Sequence, residues 1–136
     1  MKKPLLIVLL IAVISAVIGY NFSGGKKVMQ RADAELILKN LAVGMRMYSS
    51  MTGGGGEVQF TGDMTKIQRN VMQDAYAACT QKKPFHGVIV ELTECPVGDG
   101  FKTNFKFIAT PAPGYVGESL AIDKSEEIIS LNKQEK

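Results

Sequence analysis

The chain begins Met1-Lys2-Lys3 and then runs apolar from Leu5 to Ile18, interrupted only by Ser15. Two lysines ahead of such a stretch form the start signal of general export, and the rest of the chain is polar enough for water. The function is therefore expected at or beyond a membrane. The segment itself has two readings. As a helix, Leu5 to Ile18 is roughly 21 Å long, short of a hydrocarbon core about 30 Å thick. That length suits a signal peptide, with Ile14-Ser15-Ala16 as a cleavage site and a mature chain released near Ala16. Carried on through Gly19, Tyr20, Asn21 and Phe22, the stretch is just long enough to span, with its two aromatic residues at the interface. The flanking charges do not choose an orientation, because Lys2 and Lys3 are answered by Lys26, Lys27 and Arg31.

A short Ser23-Gly24-Gly25 joint separates this segment from an amphipathic helix. Ala34, Leu38, Leu41, Met45 and Tyr48 follow one another at spacings that place them on one helical face, which Ile37 and Met51 widen. Arg31, Asp33, Glu35, Lys39, Asn40 and Arg46 keep the other side wet. Gly44 costs about 1 kcal/mol relative to Ala inside a helix, so another part of the chain is expected to approach the backbone there. The helix ends at Thr52, before Gly53 to Gly56. The order of segments suggests one continuous rod over residues 5–51, membrane-embedded in its first half and packed on a domain in its second.

A second helix is expected from Asp63 to about Gln81. Asp63 or Thr65 can cap it, Thr65 and Gln68 fit a capping box, and Pro84 closes it. Beyond it the period falls to two. Val88, Val90 and Leu92 alternate with Ile89, Glu91 and Thr93, and Phe101, Thr103, Phe105, Phe107 and Ala109 share one face of a second strand. Pro111 to Gly114 turns the chain into a third strand, Val116 to Ile122, and Ile128 to Leu131 is a fourth strand or a short helix. The expected fold class is thus α+β: a long N-terminal helix and a second helix packed on a three- to four-stranded antiparallel sheet. Residues 1–25 form the anchor or signal segment and residues 26–136 one extracytoplasmic domain of ordinary size. Cys79 and Cys95, an even count in an exported chain, are expected to form a disulfide worth roughly 3 kcal/mol.

Catalytic signatures are missing from this pattern. His86 is the single histidine and has no partner at ligand or triad spacing. Gly53 to Gly56 lacks the Lys-Ser/Thr ending of a phosphate loop, and Ala121 stands where a nucleophile elbow needs glycine after Ser119. Asp99, Asp123, Glu126 and Glu127 read as solvated carboxylates in preference to a calcium site. The net charge of +3 comes from scattered lysines without a basic block, which argues against nucleic acid. No enzyme activity, cofactor, metal or small-molecule substrate is expected.

The order of segments, with Phe105-Lys106-Phe107-Ile108-Ala109-Thr110-Pro111 followed by Gly117-Glu118-Ser119-Leu120-Ala121-Ile122-Asp123, resembles the type IV pilin and pseudopilin family. Paired last strands of that kind, and a cysteine pair in the C-terminal half, are common in its head domains. The chain departs from the family in lacking a leader-peptidase site and a glutamate at the fifth mature position, which implies a minor or divergent subunit. The resemblance implies a structural subunit of a surface filament or secretion pseudopilus. Its partners would be the membrane and copies of itself or related subunits. Leu6, Leu9, Val13 and Val17 would then pack in the bilayer or fibre, Gly24 and Gly25 would be a flexible joint, and Cys79 and Cys95 would pin the second helix to the sheet. The alternative is a small periplasmic or secreted binding domain released by cleavage near Ala16.

Overall fold

The computed structural model describes residues 4, 6–14, 27–52, 58–95 and 99–131. Residues 6–14 are helical. The chain then enters its folded domain as a short strand, β1 (Lys27–Val28), followed by the helix α1 (Arg31–Thr52). Two single 3-10 turns, Met64–Lys66 and Gln68–Asn70, lead into the short helix α2 (Gln73–Thr80). The strands β2 (Val88–Thr93), β3 (Lys106–Pro111), β4 (Tyr115–Val116), β5 (Leu120–Asp123) and β6 (Ile128–Ser130) complete the order.

The architecture is α+β, with a four-stranded antiparallel sheet in the order β2-β3-β5-β6. Register follows the alternation of the sequence: Val90 opposes Ala109, Phe107 lies between Leu92 and Ile122, and Leu120 sits opposite Ala109. One face of this sheet is thereby apolar across β2, β3 and β5, with Ser130 opposite Leu120 at the β6 edge. Onto it α1 lays Ala34, Ile37, Leu38, Leu41, Ala42 and Met45, all fully buried. Phe105 and Phe107 fill the centre, with Phe60 edge-on to Phe105 at 4.8 Å. Ile128 extends β6 as a strand, so the last element is a strand and not a helix.

Three expectations are corrected. The first is the continuous, membrane-embedded rod. Residues 27–30 are not helical: Lys27 N–H donates to Gly114 O at 3.2 Å and Met29 N–H to Val116 O at 2.8 Å, pairing β1 in parallel with β4. Met29 is buried as part of the core. These tertiary bonds take the donors and the side chain that a helical course would have placed elsewhere, so α1 starts at Arg31. Among the described residues, no helix is long and apolar enough to cross a membrane. Met51, expected on the core face, is instead 65% exposed.

The second correction concerns the helix expected from Asp63. Asp63 does cap, accepting from Thr65 N–H at 3.1 Å, but what it caps is a 3-10 turn. Val71 then adopts an extended backbone (φ −128°, ψ 141°) and ends the run. Its side chain presses on α1 at Gly44, where a Cβ would lie 2.3 Å from Val71 Cγ2 and 3.3 Å from Asn70 O. The approach expected at Gly44 is therefore real, and the same contact is what breaks the second helix. The third correction is smaller. Gly100, at φ +63°, turns Gly100–Lys102 into a 3-10 turn, so β3 begins at Lys106 and not at Phe101.

Candidate functional site

Three features of the surface bear on function, and the first is the N-terminal helical stretch. Leu6, Ile7, Val8, Leu9, Leu10, Ile11, Val13 and Ile14 are each between 50% and 69% exposed. Together these eight present apolar surface all round the helix, with Leu6, Leu9 and Val13 on one side of it, while Val17, Gly24 and Gly25 lie outside the described residues.

The second feature is the clasp through which the chain enters the domain. Beyond the β1–β4 hydrogen bonds, Met29 packs on Gly117, where a Cβ would come within 3.2 Å of Met29 Cβ. Tyr115 lays its ring over Gly87, which sits at φ +76° and whose missing Cβ would meet Cδ1 at 2.2 Å. Lys27 Nζ lies 5.8 Å from the centre of the same ring. Arg31, at the first turn of α1, reaches Glu35 at 2.8 Å and Glu118 at 3.3 Å. Glu118 in turn accepts from the Ser130 hydroxyl. Arg31 is raised above its usual pKa, chiefly by the hydrogen bond to Glu35. The start of α1 is thus fastened to β4, β5 and β6 together.

The third feature is the outward face of α1. At 100° per residue, Ala32, Leu36, Val43 and Met47 fall on one line, opposite the core stripe. Leu36 is 53% and Met47 44% exposed, and Val43 is half-buried. Val43 also lines a hollow of about 200 Å³ with Lys39, Arg46 and Glu126, where Arg46 pairs with Glu126 at 2.8 Å. Lys39, Asn40 and Arg46 make this side of the helix read as wet in the sequence. Its signal was present in the near-heptad spacing of residues 36, 43 and 47, masked by the charges between them.

The cysteines do not behave as expected. Cys79 and Cys95 are both free thiols, and no disulfide joins them. Cys79 is buried on the inner side of α2, and burial pushes its pKa up to about 11. Cys95 lies past the end of β2 and accepts from Asn104 Nδ2 at 3.0 Å. Asn104 also accepts from Phe105 and Lys124 N–H, so the side chain that holds Cys95 ties β3 to the turn after β5. The two sulfurs are held by different neighbours, one under α2 and one beside β3.

The remaining polar candidates are dispersed. His86 is exposed in the turn between Phe85 and Val88, at φ +49° with its ring edge-on to Phe85. Asp123 caps the following turn through Ser125, Glu126 pairs with Arg46, and Asp99 stands beside a different turn. Among the described residues no group of three His, Cys, Asp or Glu side chains converges as a metal site. A hollow of about 460 Å³ is an open surface depression lined by Val58, Gln59, Asp99, Lys102, Thr103 and Lys124. No family model, curated protein or solved structure matches this chain.

Proposed function

We propose that this chain is a non-catalytic, pilin-like structural subunit of the cell envelope. Its head, residues 27–131, sits on the extracytoplasmic side, and its apolar N-terminal segment holds it to a membrane or to like subunits. The observation that carries the reading is the second apolar line on α1. A helix that has already buried one face against a sheet has no folding reason to place Leu36, Val43 and Met47 on the other. A monomer keeping that surface in water gives up burial that association would recover. The resemblance of the strand sequences to pilin head domains points the same way. Assembly would then use the α1 line together with Leu6, Leu9 and Val13, and no cofactor takes part.

A photo-crosslinking amino acid at Val43 and at Met47 tests this in intact cells. The reading predicts a ladder of crosslinked subunits from both positions and none from Glu91, exposed on the sheet face turned away from α1. Crosslinking that is absent from both, or equal at all three positions, removes the assembly face.

A second reading has its own observation. Among the described residues, the buried core cluster begins at Met29. That is what a small secreted or periplasmic binding domain, released near Ala16, requires.

A further inference from the structure

We infer that the methionines on the outward side of α1 are an oxidation site, at which a peroxide converts the association surface from apolar to polar; the inference rests on the assembly reading above. Among the described residues methionine falls into two sets. Met29, Met45 and Met64 are buried in the core, where Thr61 N–H donates to Met45 Sδ at 3.5 Å. Met47, Met51 and Met72 are 44%, 65% and 39% exposed. The exposed three share one side of the molecule. Met51 follows Met47 by one helical turn. Met72 is brought to the same side by its N–H, which donates to Asn40 Oδ1 at 2.7 Å, and Asn40 lies one turn past Leu36. The stripe therefore runs from Leu36 through Val43, Met47 and Met51, with Met72 beside it at the level of Asn40.

Of the side chains in this stripe, only the thioethers react with a mild oxidant. The sulfur lone pair attacks one oxygen of hydrogen peroxide, the O–O bond breaks, and the departing hydroxide takes the remaining proton and leaves as water. The sulfur is oxidised to a sulfoxide and the peroxide is reduced. Leu36 and Val43 have no counterpart to this reaction. A sulfoxide is a polar acceptor, so burying it against a neighbour costs desolvation where the thioether gained from burial. Enzymatic reduction of the sulfoxide restores the apolar side chain.

The surroundings of Met51 favour the oxidised form. Met51 lines a hollow of about 190 Å³ together with Tyr48, Thr52, Lys66, Arg69 and Asn70. Lys66, Arg69 and Asn70 bring N–H donors to it, and among the described residues no carboxylate lines it. Asp63, the carboxylate that acts on Lys66, is bonded to the Thr65 hydroxyl and N–H. A thioether accepts only weakly from such donors. A sulfoxide oxygen accepts well, so oxidation draws the Met51 side chain off the stripe and toward the hollow. The core methionines are shielded, which confines the change to the surface and leaves the head folded.

The test uses intact cells carrying the photo-crosslinking residue at Val43. Hydrogen peroxide is given while the chain is being made, so that it meets subunits before they assemble. Each culture is read against its own untreated half, and sulfoxide is mapped by peptide mass spectrometry. Sulfoxide at Met47, Met51 and Met72 should exceed that at Met29, Met45 and Met64 several-fold, and the ladder should weaken several-fold. The triple variant Met47→Leu, Met51→Leu, Met72→Leu keeps apolar side chains without an exposed thioether, and its ladder should not respond to peroxide. If that variant has no ladder of its own, Met51→Leu with Met72→Leu, which leaves Met47 in place, should lose less ladder to peroxide than the parent. Cys95 is present in every strain, so oxidation of its thiol does not distinguish them. Sulfoxide spread evenly over the methionines, an undiminished ladder from oxidised subunits, or an equal loss in the variants overturns the oxidation site and leaves assembly standing. A parent ladder absent before peroxide overturns the assembly reading and this inference with it.

Discussion

Replacing Gly44 by alanine sets two effects of known size against each other. In an isolated helix the change is favourable by about 1 kcal/mol, because alanine restricts the unfolded chain and shields the backbone. In this domain the new methyl would lie 2.3 Å from Val71 Cγ2 and 3.3 Å from Asn70 O. Carbon atoms rest at about 3.5–4.0 Å, so the segment carrying Val71 must retreat by more than 1 Å or the helix must shift. Overpacking of this kind costs about 1–3 kcal/mol. The retreat also strains the hydrogen bond from Met72 N–H to Asn40 Oδ1, 2.7 Å long, which pins the same segment to α1. The net expectation for Gly44→Ala is a loss of about 1–2 kcal/mol, or about 5–10 °C in Tm for a domain of this size. Thermal and urea unfolding followed by far-ultraviolet circular dichroism would measure it. The cause is isolated by repeating the change in a Val71→Ala background, where the clash is gone. There Gly44→Ala should be neutral or stabilising, giving a favourable coupling of about 1 kcal/mol or more between the two sites. A Gly44→Ala variant more stable than the parent, with Val71 present, would refute the packing assigned to this contact.

Three shorter predictions follow from other parts of the structure. Asn40→Ala should cost about 0.5–1.5 kcal/mol by exchanging the Met72 N–H acceptor for water at an exposed site, and hydrogen exchange should report it as earlier opening of α2. Gly87→Ala combines a left-handed backbone with a methyl 2.2 Å from the Tyr115 ring, so it should loosen the clasp; a Tm drop of less than about 4 °C, below 1 kcal/mol, would contradict this. Cys79, with a pKa raised by burial from 9.0 to about 11, contributes stability that is complete below pH 9 and lost as the pH rises toward 11. Its thiol should also alkylate far more slowly than that of half-buried Cys95 at pH 8, and Cys79→Ala should flatten the alkaline fall in Tm. Equal alkylation rates would show that Cys79 is not held under α2.

The elements that local periodicity specifies were legible in the sequence. The core stripe of α1, the alternation of Val88 to Thr93, and the shared face of Phe105, Phe107 and Ala109 are each the consequence of one element meeting one surface. What periodicity cannot carry is pairing at long range. Residues 26–31 contain good helix formers, yet Lys27 and Val28 are a strand because Gly114 and Val116 offer carbonyl acceptors more than eighty residues away. Likewise Asp63 carries a genuine capping signal, yet the turn it caps ends at Ile67, and the run stops after a second 3-10 turn where Val71 meets Gly44. The expected disulfide rested on cysteine count and export alone, which say nothing of where two side chains lie; the fold gives Cys79 and Cys95 different neighbours. The outward line on α1 was readable, but Lys39, Asn40 and Arg46 between its members made the face look polar.

The central claim is that the N-terminal segment stays on the chain and works together with the head. The intact mass and N-terminal sequence of the mature protein, taken separately from membrane and soluble fractions, test it most directly. The account predicts a chain in the membrane fraction that retains Leu6, Leu9 and Val13. A mature chain that begins near Val17 and is found free of the membrane would contradict it and leave the released binding domain in its place.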